Sequence, residues 1–363
     1  MKTHLFRCKH KTVALFWASV FFLSFLGILG CQKKAEAPPE KPAPTSRLTV
    51  FALRHIRDSG FETAVLQDFA ETHNCALNLI VFDTLPQLLD SLRVDDDVAN
   101  ADVVLGLDSA FALADSLLIP FEALPRISLA EINYEIPKDP GQRLIPYATA
   151  NLAFIYDSKR FPEPPRSFGE LQDSRFHQQL ALYDPAFSGL GRSSIFWSLA
   201  LFGESGYEQF WQSLRKNVCQ ICLDHDEALS ELRQGKCGLI LGYGSTPAWI
   251  ADFFPTESHI RASQPQEGSF CHTEYGALCT GSQNREMGIK LLEHLITPQA
   301  QQHVMFKLGM MPTNGRTPVS GNFARLPWVT YCLNSRLDKQ EILPQLELWL
   351  RIWQDQIKSL PGL

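Results

Sequence analysis

Residues 48–82 read LTVFALRHIRDSGFETAVLQDFAETHNCALNLIVF, and the fold class is decided inside them. Leu48–Leu53 is an apolar run of strand length. Glu62–His73 spaces Val65, Leu66 and Phe69 along one helical face, and Ala76–Phe82 is a second apolar run. Downstream the pattern continues with a helix near Leu85–Leu92, a strand at Asp102–Leu105 and a helix around Ala110–Leu117. Strands that alternate with helices predict a parallel sheet covered by helices, hence an α/β chain.

A second series follows Leu152–Tyr156. It comprises strand Leu180–Tyr183, helices Ser193–Leu201 and Tyr207–Leu214, strand Val218–Leu223, a helix ending at Leu232, strand Gly238–Tyr243 and helix Ala248–Phe253. Two such layers in tandem predict two lobes, and 363 residues suit that number. The tail Lys339–Lys358 places Ile342, Leu346, Trp349, Leu350 and Trp353 on one stripe, which predicts a closing helix.

Upstream of the α/β pattern the chain changes character. Residues 1–12 carry four cations and no acid, and Val13–Gly30 is apolar without a charge. This is the one stretch near spanning length, so a multi-pass membrane protein is excluded. A signal segment and a retained membrane anchor both fit its length. Gln32–Ser46, rich in Pro, Ala and Lys, has no large apolar residue and reads as an extended spacer. Cleavage before Cys31 removes Lys2, Arg7, Lys9 and Lys11 and takes the formal charge from −6 to −10. A body that negative repels phosphate backbones, which argues against nucleic-acid binding.

Ligands of open α/β sheets gather beyond the carboxyl ends of strands. Four predicted loops lie there: Phe82–Thr84, Gly106–Ser109, Asp184–Ser194 and Gly242–Pro247. In the third, Gly189 and Gly191 allow a tight turn, and Ser188, Ser193 and Ser194 offer hydroxyls. This is either an anion site at a helix start or an ordinary helix capped by Ser193 or Ser194. In the fourth, Pro247 suits a first helical turn capped by Thr246, and Tyr243 and Trp249 could face one cleft; Trp249 as plain core is the other reading. Asp83, Asp108 and Glu274 lie near strand ends, where they would hold a cationic group or serve as caps.

Cys219 and Cys222 stand three apart on a strand pattern and so face opposite sides, which rules out half a zinc site. The remaining mature cysteines show no ligand spacing, and with Cys31 set aside seven are left. Buried free thiols are expected, with room for one disulfide. The chain has no GxSxG, HExxH or GxxxxGK, and His225, His259, His272, His294 and His303 show no metal-type spacing. No enzyme activity, cofactor or metal is therefore expected.

Several strings together resemble the substrate-binding proteins of thiamine ABC importers. They are Ala101–Asp108 (ADVVLGLD), Ala153–Asp157 (AFIYD), Tyr183-Asp184-Pro185 with Gly189-Leu190-Gly191, and Tyr243 followed by Thr246-Pro247-Ala248-Trp249. The resemblance spans about residues 47–355. Ile28-Leu29-Gly30-Cys31 likewise resembles the lipobox of bacterial lipoproteins.

The resemblance implies a two-lobed type II periplasmic binding protein, a Venus flytrap. Residues 1–30 would be the signal peptide, 31–46 the tether, 47–147 with 272–363 the first lobe, and 148–271 the second. Crossover strands around Pro146–Ala150 and Cys271–Leu278 would form the hinge. Thiamine or a thiamine phosphate would be held by Asp83 and Thr84 at its pyrimidine, by stacking on Tyr243 and Trp249, and by Ser188 and Gly189 at any phosphate. Asp108 and Glu274 would complete the charge match. Family rings fall here at Leu53, near His225, which joins the candidate ligand residues, and near Gly309. Each absent ring is worth roughly 0.5–1.5 kcal/mol beyond burial. Lipid on Cys31 would hold the protein at the periplasmic face of a membrane, where permease and ATPase subunits are its partners. The same fold could carry a polyamine, ferric iron or an oxyanion, or serve as a partner scaffold; the lack of a Tyr-Tyr pair argues against iron.

Overall fold

A computed structural model describes residues 44–93, 101–114, 119, 121–326 and 332–359. The apolar run, Cys31 and nearly all of the spacer lie outside them. Among the described residues, no helix is long and apolar enough to cross a membrane.

The alternation expected from residues 48–117 is present. β1 (Ser46–Leu53) leads through α1 (Arg54–Asp58), a π-helical turn and α2 (Gln67–Thr72) to β2 (Cys75–Phe82). α3 (Leu85–Arg93), β3 (Val103–Asp108) and α4 (Ser109–Ala114) follow. Beyond β4 (Ile145–Asp157) come β5 (Leu180–Tyr183), α5 (Gly189–Leu214), β6 (Val218–Cys222) and α6 (His225–Arg233). β7 (Leu239–Tyr243), α7 (Thr246–Phe253), β8 (Ile260–Ser263) and β9 (Cys271–Leu278) come next. The chain closes with α8 (Arg285–Leu295), α9 (Pro298–His303), β10 (Met311–Pro312) and α10 (Lys339–Trp353). α5 is broken at Gly203, whose φ of 64° no helix contains, which divides it where two helices were expected.

The strands form one path, β2-β1-β3-β9-β4-β7-β5-β6, with β8 and β10 both on β4. β4 holds it together. Its first residues pair with β9 and β10, and from Leu152 onward it pairs with β7 and β8. β1 is parallel to β2 and β3, whereas β9 runs antiparallel between β3 and β4. Pro146–Ala150 lies within the crossing strand. Cys271–Leu278 pairs with β3 and with the first part of β4.

Strand β3 is buried throughout and is apolar up to Asp108, whereas β9, equally buried, carries His272, Thr273, Glu274 and Tyr275 within it. α10 buries Ile342, Leu346, Trp349 and Trp353 of the expected stripe, with Leu350 half-buried at its edge. It packs on α5, with the Tyr207 hydroxyl donating to the Trp349 carbonyl at 2.9 Å and Trp353 edge-on to Trp211.

The cysteines depart from expectation. Two disulfides form, Cys219–Cys237 and Cys271–Cys332, with Cα atoms 6.4 and 5.6 Å apart. Cys75, Cys222 and Cys279 are free and buried. The Cys219 and Cys222 side chains do part company on β6, one into a disulfide and the other into the core.

Candidate functional site

The carboxyl ends of β1, β2, β3, β6 and β7 converge on a cavity of about 120 Å³. Its lining includes Asp83, Thr84, Asp108, Ser188, Gly189, His225, Tyr243 and Glu274, eight of the nine positions singled out from the sequence. Trp249 is not among them. Its indole donates to the Phe306 carbonyl at 3.3 Å and packs on Phe253 and Phe254, and it borders a separate cavity of about 50 Å³ shared with His225 and Tyr243. The core reading describes that packing.

The floor is built by β3 and β9. Asp108 and Glu274 are cross-strand partners, and His272 stands two residues from Glu274 on the same face of β9. Asp108 Oδ1 accepts from the Phe111 amide at 2.9 Å and so caps α4. Burial pushes the Asp108 carboxyl above its usual range, with His272 and the Phe111 amide opposing. Glu274 is 3% exposed, and the Tyr147 hydroxyl donates to it at 2.7 Å. His55 lies 3.0 Å from its other oxygen. Burial disfavours both charges of this pair, yet their mutual attraction prevails: His55 is raised and Glu274 lowered.

The opposite wall comes from β6, β7 and α5. The Tyr243 ring centroid lies 4.4 Å from that of His225 and 5.7 Å from that of His272, so the ring sits close to two imidazoles. His225 meets the Tyr183 hydroxyl at 3.2 Å and Thr246 at 3.3 Å, and burial takes its pKa down to about 4. It is held as a neutral ring.

Ser188, not Ser193 or Ser194, is the cap of α5, accepting from the Gly191 amide at 3.3 Å. The helix starts earlier than the sequence suggests because Gly189–Gly191 is already helical. At α7 the capping position is Ser245, which makes no side-chain cap bond, and Thr246 is the first helical residue. Asp83 is exposed at the rim, and Thr84 Oγ1 accepts from the Gln87 amide at 3.5 Å.

Several cavity residues were not anticipated: Arg54, His55, Asp224, Asp226, His272 and Lys307. Arg54 and His55 follow the first strand directly, so the strand-end rule pointed at them, and His272 was legible from its period-2 spacing to Glu274. Arg54 forms an ion pair with Asp224 across the cavity. Among the described residues, no group of three His, Cys, Asp or Glu side chains is arranged to hold a metal ion.

The geometry is that of a cleft sized for a small solute, its largely apolar lining set with carboxylates on the floor and a ring on the wall. The comparisons point the same way. The thiamine-binding periplasmic protein of Escherichia coli is 27% identical over 312 residues, 85% of this chain and 92% of that one. Its counterpart from Haemophilus influenzae is 25% identical over 291 residues, 80% of this chain and 86% of the other. A solved periplasmic thiamin binding protein superposes with a TM-score of 0.77 at 26% identity, covering 86% of this chain and 96% of its own. The apo ferric ion-binding protein A of Pasteurella haemolytica, at 14% identity and a TM-score of 0.72, covers 85% of this chain and 97% of its own and shares the fold. The ten-stranded α/β architecture thus matches type II periplasmic binding proteins. A family described as bacterial extracellular solute-binding protein matches residues 110–329, and the chain belongs to that family.

Proposed function

We propose that this chain is the solute-binding lipoprotein of an ABC importer, capturing thiamine or a thiamine phosphate and handing it to a membrane permease. One observation carries the reading. Residues selected from four separate loops surround a single cavity, and the relatives that match over most of the chain are named for thiamine binding. Residues 47–147 with 272–363 act as one lobe and 148–271 as the other, closing over the ligand about β4 and β9. Cys31 carries the lipid, residues 31–46 hold the body off the membrane, and the site works on the periplasmic side.

In this reading Tyr243 stacks on the cationic heterocycle, with His225 at its back where the family places a ring. Asp83 and Thr84 meet the aminopyrimidine at the rim. Asp108 and Glu274 supply negative charge beneath it, and Ser188 and Gly189 lie at the far end. Trp249 supports Tyr243 from the adjoining cavity. The polypeptide binds without turning its ligand over, as its relatives are binding proteins.

Isothermal titration of the full chain in mild detergent tests the proposal. Thiamine should bind, and Tyr243→Ala should weaken it by about tenfold, since a stacked ring contributes roughly 0.5–1.5 kcal/mol beyond its area. No heat with thiamine, its monophosphate or its diphosphate would end the reading.

A further inference from the structure

We infer that Phe187 is the ring that meets the solute at the mouth of this cleft and that Lys358, near the carboxyl end of the chain, is its positioning residue; the inference rests on the thiamine site proposed above. Among the described residues, two aromatic rings other than imidazoles line the cavity, Tyr243 and Phe187. Tyr243 is buried, with the His225 ring close against it. Phe187 is 42% exposed, and Leu223, at 52%, lines the same cavity. An apolar side chain left half in water on a cavity wall gains by being covered there. A phenyl face, negative at its centre, suits a flat cationic heterocycle as that cover.

The ring stands on a fixed support. The Asp184 carbonyl accepts from the Phe187 amide at 3.1 Å and from the Ser188 amide at 2.8 Å, and Asp184 Oδ1 accepts from the Ala186 amide at 3.0 Å. Asp184 is 5% exposed, and the Lys358 ammonium donates to its Oδ2 at 2.7 Å. The same ammonium lies 5.4 Å from the centroid of the Phe187 ring. Its charge is compensated by Asp184, so it can hold the ring without repelling a cationic solute. Lys358 ends the π-helical turn Gln354–Lys358, whose Ile357 is buried and which directly follows α10. Trp353 of α10 meets Trp211 of α5, and α5 begins two residues after Phe187. The end of the chain and the cleft mouth are thereby one piece, and a ring held in advance loses less freedom when a ligand arrives.

Isothermal titration of the full chain in mild detergent with thiamine, beside melting temperatures, tests the inference. Phe187→Ala should weaken thiamine by about tenfold, the effect of a lost stacked ring. Its melting temperature should stay unchanged, because the ring is already half in water. Phe187→Tyr should keep affinity within about twofold, since a stacking face remains. Lys358→Met should weaken thiamine by about threefold alone and by nothing further in Phe187→Ala, because it acts through the ring. Thiamine bound equally well by the unaltered chain and by Phe187→Ala would overturn the inference and leave the thiamine reading standing. A melting temperature that falls in step with affinity in Phe187→Ala would make the ring structural and overturn its part in recognition. Losses that add in the double variant would overturn the part given to Lys358. An unaltered chain that binds no thiamine would remove the thiamine reading and this inference with it.

Discussion

Arg54, the first residue after β1, and Asp224, the residue before α6, form an ion pair that bridges the two sides of the cleft. Asp224 also accepts from the Glu227 amide at 2.9 Å, so its carboxylate is fixed before Arg54 reaches it. Burial pushes the Asp224 carboxyl up, but the Glu227 amide and then the Arg54 guanidinium hold it below the usual carboxylate range. In the proposed closure of the two lobes, a bridge with this placement favours the closed arrangement whether or not a solute is inside. With side-chain exposures of 38% and 32%, it contributes at most about 1 kcal/mol. Arg54→Gln should therefore change affinity by about fivefold or less, and the difference should fade as salt is raised. Titration at two ionic strengths checks this; an effect insensitive to salt would assign Arg54 a different role.

Gly189 gives a sharper test of closure. A methyl group there would collide with Asp108 Oδ2, yet alanine suits a helix start better than glycine does. Gly189→Ala should leave thermal stability unchanged or slightly raised, because opening the cleft relieves the clash. Affinity should fall by roughly five- to hundredfold, the equivalent of about 1–3 kcal/mol of overpacking. A melting temperature that drops in step with affinity would instead mean that the cleft cannot open at this point.

Acid should loosen the protein through His225. Burial lowers its pKa from 6.5 to about 4, so the unfolded chain takes up a proton that the native ring refuses. Stability is then lost as pH falls from 6.5 towards 4, and His272, also lowered by burial, acts in the same direction. His55 has the opposite sign. Its raised pKa gives stability that is complete below 6.5 and is lost as pH rises through the raised value. Melting temperatures measured across this range should fall on the acid side, and His225→Gln should flatten that limb.

Reduction should cost more than either free thiol would suggest. Cys219–Cys237 closes 18 residues and Cys271–Cys332 closes 61. In the chain-entropy account these contribute about 3 and 4 kcal/mol respectively. Cys332→Ser should therefore lower the melting temperature more than Cys237→Ser, as scanning calorimetry would show. Cys222→Ser should act through core polarity instead, since that thiol is buried and its pKa is pushed up to about 12.

The strands that alternate with helices were legible as apolar runs, and Leu180–Tyr183 has the bounds expected of it, whereas β8 (IRAS) carries no such run. The cleft positions were legible for a topological reason: a loop after a parallel strand has one direction to face. Helix starts were harder, because Gly189–Gly191 has low helix propensity and Ser188 looks no different from Ser193 as a cap. Arg54 and His55 carry no local signal of their own, and their roles emerge only when the opposite wall supplies Asp224 and the floor supplies Glu274. Trp249 shows the limit of spacing, which fixes a helical face but not what lies across from it. Cysteine pairing depends on the distance between segments far apart in the chain, and no local pattern carries it.

β4 has a consequence for how the protein comes apart. A single unbroken strand of 13 residues is hydrogen-bonded into both ends of the sheet, so neither end keeps an intact edge if the other melts. Heat should consequently dismantle the protein in one cooperative event rather than in two stages, with this strand serving as axle and keystone at once.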